Sequence, residues 1–403
     1  MHLENLFIGR QPIMSSDYKL FAYQLKLHRL GDSQDFSGTD PLWFIEEIEK
    51  TIGFQSLTGP SYTFMDFPRD VLVDLDWSIF EQPEWLVIEV DASIATDVGV
   101  LQKLKHLKRQ GASIALSHFD AEKPIFEKLL PVVDWVKIHA KKISVDQLKM
   151  QIERLQHCGL KVIATEVETE TDYIAYKDIG FDYFQGYFFI HPWYAKSQPI
   201  DSGRQALLQL LMKINDPKTD LTSLTELIRH HAVLSHNLLV VLQQVQPELP
   251  STARTITQAV QYLGIKRIKF WVNTLLLSAQ EGVSSELMTV SLTRARFCEQ
   301  MSIHLGQGQE KDACFMIGLF SCLDAVFKVP LENVIQSMAL SEDVTTALLS
   351  HKGDKGQMLG WVQSFEQGRA PNVSQFESQW VELSDCVATY LQAVAWAQSF
   401  DLF

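Results

Sequence analysis

The sequence predicts two domains, a TIM-like (β/α) barrel followed by an all-helical domain. Short runs of Val, Ile and Leu alternate with helical patterns through the first half, as in parallel strands buried on both faces. Gly111, Gly159 and Gly180 each follow a helical pattern and precede a strand, as helix-ending glycines do. After Gly203 the strand signal almost disappears. We therefore expect domains at residues 1–198 and 199–403.

The first half contains eight strand patterns with helical patterns between them. Repeated strand–helix units of this kind favour a closed barrel over an open sheet. The predicted strands are Leu6 to Met14, Phe21 to Leu27, Ser61 to Phe67, Trp85 to Asp91, Ser113 to Phe119, Trp135 to Ala140, Lys161 to Val167 and Asp182 to Phe189. The predicted helices are Pro41 to Thr51, Val98 to Gln110, Ala121 to Leu130, Val145 to Cys158 and Glu170 to Asp178.

The second half is predicted to be helical throughout. A polar segment with Pro199 and Gly203 forms a plausible linker before it. Ser223 and Glu226 match a capping box and predict a helix start. Apolar residues at helical spacing predict helices opening near Leu207 and over His231 to Val245, Ile256 to Leu263, Ile265 to Leu277, Val290 to Leu305, Asp312 to Phe327, Leu331 to Met338, Glu342 to His351, Lys355 to Gln367 and Phe376 to Phe400.

Composition excludes several classes of partner. The formal net charge of -14 argues against binding of nucleic acid or an anionic membrane surface, which both need clustered Lys and Arg. No uninterrupted apolar run is long enough to span a membrane, and the amino terminus lacks a cleavage-site pattern. The five cysteines include no C-x-x-C pair, which is typical of reduced thiols in a cytoplasmic protein.

The order of several motifs resembles two known families. In the first half the pattern resembles the EAL domain, the barrel of cyclic-di-GMP phosphodiesterases. Its landmarks are Phe7 to Ile13, Leu86 to Glu89, Val136 to Ile138, Ala164 to Thr169 and Asp182 to Phe188. The second half resembles the HDOD domain, also described as a modified HD-GYP domain, at Leu263-Gly264, Gly318 to Ala325, Leu340-Ser341 and Phe365-Glu366. Together these resemblances imply a bacterial EAL–HDOD signal transduction protein.

The EAL resemblance implies a set of site positions, and this chain departs from many of them. In that family, carboxylates at the carboxyl ends of the strands hold divalent ions that activate water. Family carboxylates are replaced here by Gln24, Ser117, His118, His139 and Thr165, while His28 stands at the position of an Arg and Asp66 at that of an Asn. Four positions keep the family residue, namely Glu89, Lys137, Glu168 and Gln185.

These losses predict a catalytically inactive relative that uses no cofactor. Two metal ions about 4 Å apart repel each other strongly unless anionic ligands surround them. The surviving Lys137, Glu168 and Gln185 are expected to satisfy one another inside the barrel mouth. Such a protein would act through contacts with other signalling proteins, and a homodimer is one such contact.

Two other functions stay open from the sequence. Degenerate EAL domains can serve as cyclic-di-GMP receptors, although His28 replaces the Arg that usually grips phosphate. Alternatively, the strand-end histidines could hold zinc together with a carboxylate, and that set would be His28, His118, His139 and Glu89. Strand-end histidines are more often polar rim residues.

The HDOD half offers no stronger site. HD hydrolases take their name from a His-Asp dipeptide that binds metal, and no histidine in this chain is followed by Asp. His230, His231 and His236 form the nearest cluster. A surface or helix-capping role is favoured for them over a metal site.

Overall fold

The computed structural model describes residues 6–29, 41–67, 69–74, 77, 80, 83–92, 97–119, 129–189, 200–245, 255–280, 283–338, 340–369, 371 and 381–400. The chain forms two compact units. The first holds residues 1–193 together with Ser364–Pro371, and the second holds the remainder. In the described ranges, no helix is both long and apolar enough to cross a membrane.

The first unit is built on a closed barrel of eight strands, each hydrogen-bonded to the next, with the last paired to the first. All eight predicted strands are present. They are β1 (Leu6–Ser15), β2 (Leu20–Arg29), β3 (Tyr62–Asp66), β4 (Leu86–Asp91), β5 (Ser113–Ser117), β6 (Trp135–Ile138), β7 (Lys161–Ala164) and β8 (Tyr183–Gln185).

One strand departs from the predicted parallel arrangement. β1 runs antiparallel to both β2 and β8, whereas β2 to β8 are parallel to their neighbours. Only residues 16–19 connect β1 to β2. A connection this short can reverse the chain but cannot carry it back across the barrel, as a parallel neighbour would require.

An apolar plug fills the barrel. Six of its residues are fully buried, namely Ile13, Ala22, Phe64, Val87, Ala115 and Ile163. Phe21, Trp135 and Tyr183 pack against them and are partly buried. Because the plug contains at least one residue from each of the eight strands, it fixes which face of each strand points inward.

The described helices of the first unit agree with most of the predictions. They are α1 (Pro41–Thr51), α2 (Phe54–Thr58), α3 (Arg69–Asp74), α4 (Val98–Arg109), α5 (Val145–His157) and α6 (Glu170–Ile179). Most of the predicted helix from Ala121 to Leu130 lies outside the described residues. The sequence missed α2 and α3, since helices this short show too little periodicity to be recognised.

The described part of the second unit is helical, as predicted. Its α-helices are α7 (Ser202–Asn215), α8 (Leu221–Arg229), α9 (Ala232–Val245), α10 (Ile256–Ser278), α11 (Ser285–His304), α12 (Lys311–Phe320), α13 (Leu323–Phe327), α14 (Leu331–Ile335), α15 (Glu342–Ser350), α16 (Gly353–Glu366) and α17 (Leu383–Gln398). The predicted break inside α10 is present, because Gly264 takes φ 78° and ψ 165° there.

The predicted capping box at the start of α8 is wrong. The helix begins earlier, at Leu221, and its N-cap is Asp220. The Asp220 Oδ1 accepts a hydrogen bond of 2.7 Å from the backbone N–H of Ser223. Ser223 therefore lies inside the first turn, because an Asp three residues earlier already satisfies its amide.

One short segment from the second half of the chain groups with the first unit. Ser364–Pro371 belongs to the barrel unit, although it follows the helical half in sequence. Phe365 is fully buried, and its ring meets that of Phe7 edge-on at 5.4 Å between centroids. Contacts between residues so distant in sequence leave no local pattern, so the sequence could not reveal this return.

Candidate functional site at the barrel mouth

Every strand of the barrel presents one polar side chain above the apolar plug. On each strand it lies two residues from a plug residue, toward the carboxyl ends of the parallel strands. Alternate residues of a strand share a face, so these side chains also point inward, at the end where TIM-type barrels carry their sites. We call them the polar ring, and they are Gln11, Gln24, Asp66, Glu89, Ser117, Lys137, Thr165 and Gln185.

Lys137 is the centre of the ring. Its side chain is 4% exposed, and its ammonium donates a hydrogen bond to Glu89 Oε2 at 2.7 Å. It also donates to Oε1 of Gln24, which is completely buried. Burial lowers the pKa of Lys137, and the neighbouring Glu89 carboxylate opposes that shift. One ammonium therefore binds side-chain oxygen atoms on both β2 and β4. The EAL resemblance assigns a metal ligand to each of these two positions.

The remaining ring members are mostly neutral. Ser117 Oγ donates to the Val90 carbonyl at 3.2 Å, and Thr165 Oγ1 donates to the Ile138 carbonyl at 3.3 Å. Gln185 Nε2 donates to Gln11 Oε1 at 2.8 Å. With Asp66, Glu89 and Lys137 as its only charged members, the ring has a formal charge of about -1 when all three are ionised.

Gln185 leaves one polar atom without a partner. Its Oε1 is buried, and no hydrogen bond to it is found among the described residues. A buried acceptor of this kind costs about 1–3 kcal/mol unless a donor reaches it. The mouth therefore offers a hydrogen-bond acceptor to water or to a small ligand.

Asp66 titrates differently from an ordinary aspartate. It ends β3 directly beside Glu89 of β4, and its side chain is open to solvent within the crowded mouth. Burial by the surrounding protein, and then the Glu89 carboxylate, raise the pKa of Asp66 to about 6, although Lys137 partly opposes them. The charge of the ring therefore changes near neutral pH.

This raised pKa predicts a pH dependence of stability. Because the folded-state pKa of Asp66 lies above the ordinary aspartate value of 3.8, the stability that Asp66 contributes is complete below pH 3.8 and is lost as the pH rises through about 6. The Asp66→Asn variant has no carboxyl group at this position, so it does not show this loss of stability. The denaturation midpoint of the variant should therefore rise relative to that of the wild type as the pH increases from about 4 to 7. A difference that stays constant with pH would contradict the assignment.

The three strand-end histidines do not converge. His118 Nδ1 lies 2.8 Å from Asp91 Oδ2, and His139 Nδ1 lies 3.1 Å from Glu166 Oε1. The described residues contain no group of three or more His, Cys, Asp or Glu side chains that could hold a metal ion. The structure therefore does not bring the residues of the zinc alternative together as a group of ligands.

His28 has a different environment from the other two. Its ring stacks on Phe7 with 4.9 Å between centroids. Burial, assisted by Lys26, lowers the pKa of His28 to about 4. The side chain is therefore neutral at pH 7 and cannot supply the positive charge of the family's Arg. Lys26, two residues earlier on the same face of β2, is exposed.

The predicted pairing among the retained residues is wrong. Glu168 follows β7 in the loop before α6, and its side chain is 61% exposed. It pairs with Lys141 at 2.5 Å rather than with Lys137. The reason is its position, because Glu168 lies four residues beyond the end of the strand, outside the ring.

Several site residues were missed by sequence reasoning. Gln11, Lys26 and Asp91 each lie two residues from a recognised or predicted inward position on the same strand, so period-two spacing could have found them. Glu166 and Lys141 lie outside strands and left no such signal. In the second unit His230, His231 and His236 are all exposed.

The comparisons with known families agree with this geometry. The EAL domain matches residues 55–192, and the HDOD domain matches residues 202–344. The two matches follow one another along the chain, which therefore combines an EAL domain with an HDOD domain. The EAL match begins after β2, the strand that carries Gln24.

Two relatives are similar over nearly their full length. An uncharacterized protein, YuxH of Bacillus subtilis (strain 168), is 28% identical over 98% of both chains. The cyclic di-GMP phosphodiesterase CdgJ of Vibrio cholerae serotype O1 is 26% identical, over 98% of this chain and 93% of its own. Among solved structures, a complex of the PaMucR phosphodiesterase with c-di-GMP is 16% identical, with a TM-score of 0.40, over 50% of this chain and 99% of that one.

Proposed function

We propose that this chain is a cytoplasmic signalling protein whose EAL barrel does not hydrolyse cyclic-di-GMP and which acts by binding other proteins. The observation that carries the proposal is the ammonium of Lys137, which binds Gln24 and Glu89 together. The five cysteines form no disulfide in the structure and four of them are buried, which fits a reducing compartment.

The donor set of the ring does not fit a pair of divalent metal ions. Mg²⁺ and Mn²⁺ prefer anionic oxygen ligands. Asp66 and Glu89 are the ring's only carboxylates, and the bond from Lys137 already neutralises Glu89. Asp66 is partly protonated near neutral pH, since its pKa is about 6. A site with so little negative charge would leave two dications strongly repelled.

A hydrolysis assay tests the proposal. Purified protein incubated with cyclic-di-GMP and Mg²⁺ or Mn²⁺ should form no linear dinucleotide above the level of buffer. The relative CdgJ, described as a phosphodiesterase, makes this a demanding expectation. Metal-dependent product from the wild type that disappears in the Glu89→Gln variant would overturn it.

A cyclic-di-GMP receptor is a second candidate, favoured by two features of the mouth. Gln185 Oε1 is a buried acceptor without a partner, suited to an N–H or O–H donor of a nucleotide. Lys26 is an exposed cation on the wall above the ring and can face a phosphate. Neither feature requires a bound metal or turnover.

Calorimetry distinguishes this candidate from the first. If the mouth binds cyclic-di-GMP, Lys26→Ala should weaken binding roughly tenfold through loss of a charge-assisted contact. Lys19→Ala, an exposed lysine in the turn at the other end of the same strands, should leave affinity unchanged. Absence of binding heat with the wild type at high nucleotide concentration would remove the receptor candidate.

A further inference from the structure

The β1–β2 pair extends beyond the barrel as a two-stranded ribbon. β1 pairs with β8 only over Ile13–Ser15, and β2 pairs with β3 only over Ala22–Leu25. Beyond these points, within the described part of the chain, the two strands pair only with each other, up to the match of Leu6 with Arg29. The ribbon therefore rises past the polar ring on the mouth side of the barrel.

One face of this ribbon continues the inner wall of the barrel. Phe7 lies opposite His28, Gly9 opposite Lys26 and Gln11 opposite Gln24. Side chains alternate between faces along a strand, so Phe7, Gly9 and His28 point to the same side as the ring members Gln11 and Gln24. A group that packs on this face lies beside the path to the ring.

Residues 364–369, which we call the strap, pack on that face. Phe365 meets Phe7 edge-on, as described above. Gly368 fits so closely that an added methyl group would lie 2.7 Å from His28 Cε1 and Nε2. A methyl group added at Gly9 would likewise lie 3.3 Å from the Cα of Gly368. Two glycines thus allow the strap backbone to lie directly against the ribbon.

Gly368 is required twice at this place. Its φ of 68° is in the left-handed region, which residues with a side chain adopt at a cost. Its missing side chain also leaves room for His28. The strap is therefore fitted closely to the inner face of the ribbon.

We infer that the strap is a lid on the barrel mouth, which must move before a nucleotide-sized molecule reaches the polar ring. A water-sized molecule can pass a lid of this kind, but a larger one competes with the contact of Gly368 with His28. A segment of the chain itself then narrows the mouth for molecules larger than water. This inference concerns access alone and holds whether or not the barrel binds cyclic-di-GMP.

Thiol labelling within the ring tests this inference directly. Ser117→Cys places a reporter thiol in the polar ring, in a Cys158→Ser background that removes the exposed native thiol. Iodoacetamide serves as the small reagent and fluorescein maleimide as one of nucleotide size. In that background, Gly368→Ala should accelerate labelling by the large reagent about tenfold while changing the small-reagent rate little.

A matched control separates the lid from backbone strain. Gly159 has a similar φ of 79°, and an added methyl group there meets nothing within 4 Å. Gly159→Ala therefore introduces the same kind of strain in the same unit, without touching the strap, and should leave both labelling rates unchanged. His28→Ala is a second opening variant, since it removes the ring against which Gly368 packs without straining the backbone.

Hydrogen exchange of residues 364–369 reports whether the strap has moved. Faster exchange together with faster labelling by the large reagent, in Gly368→Ala or His28→Ala, supports the lid. Faster exchange with unchanged labelling overturns it, because the strap would then have moved without opening the mouth. Unchanged exchange in both variants also overturns it, because the contacts described would not be what holds the strap.

Discussion

Replacing Lys137 with Met should destabilise the barrel more than any other single loss of charge in the described residues of the first unit. Among the residues that the structure describes, the ammonium is the only cation bonded to Glu89, and both residues are buried, at 4% and 7% exposure. Removing one partner of a buried ion pair leaves the other charge unpaired, at a cost of about 3–5 kcal/mol. Urea denaturation followed through the barrel transition should therefore show a much lower midpoint.

A surface pair of the same chemistry provides the control. Lys141 bonds Glu168 at 2.5 Å, but its side chain and that of Glu168 are 34% and 61% exposed. Lys141→Met should therefore cost no more than about 1 kcal/mol. The double variant Lys137→Met/Glu89→Gln should recover much of the loss. Equal losses of stability in Lys137→Met and Lys141→Met would contradict the burial of the pair formed by Lys137 and Glu89.

Restoring the family carboxylates should create a protein that depends on metal for its stability. The variant combines Gln24→Glu, Ser117→Asp, His118→Asp, His139→Asp and Thr165→Glu. Five added anions in and beside a ring that already has a slight negative charge should repel one another and lower the melting temperature. Mn²⁺ should reverse this, contributing about 2.7 kcal/mol at a concentration a hundred times its dissociation constant.

The matched control keeps the size of these side chains but not their charge. It retains Gln24 and carries Ser117→Asn, His118→Asn, His139→Asn and Thr165→Gln. Neither this variant nor the wild type should be stabilised by Mn²⁺. If the amide variant responded to Mn²⁺ as strongly as the carboxylate variant, the lost charges would not explain the absence of a metal site.

Much of the fold could be predicted from the sequence because its determinants are local. Buried strands such as β5 and β7 contain continuous apolar runs, and the break at Gly264 is indicated by a glycine inside a helical pattern. The direction of β1 was not visible in this way. It follows from the length of one turn and from pairing with β8, which is the most distant strand in sequence.

The sequence predicted which residues form the site better than it predicted how those residues are arranged. Positions such as Gln24 and Lys137 were recognised from the family motifs, yet their hydrogen bond joins residues 113 positions apart. Partner choice at such distances depends on the stagger of the whole barrel, which no short pattern encodes. The same reason explains why Glu168 was placed in the mouth and why the strap at Gly368 was not foreseen.

We expect the ammonium of Lys137, rather than a divalent metal ion, to balance the carboxylates of the barrel mouth. Electron paramagnetic resonance of free Mn²⁺, recorded with excess purified protein at pH 7, tests it most directly. We expect that neither the wild type nor the Asp66→Asn variant lowers the signal of free Mn²⁺. Stoichiometric loss of that signal with the wild type, abolished by Asp66→Asn, would contradict it.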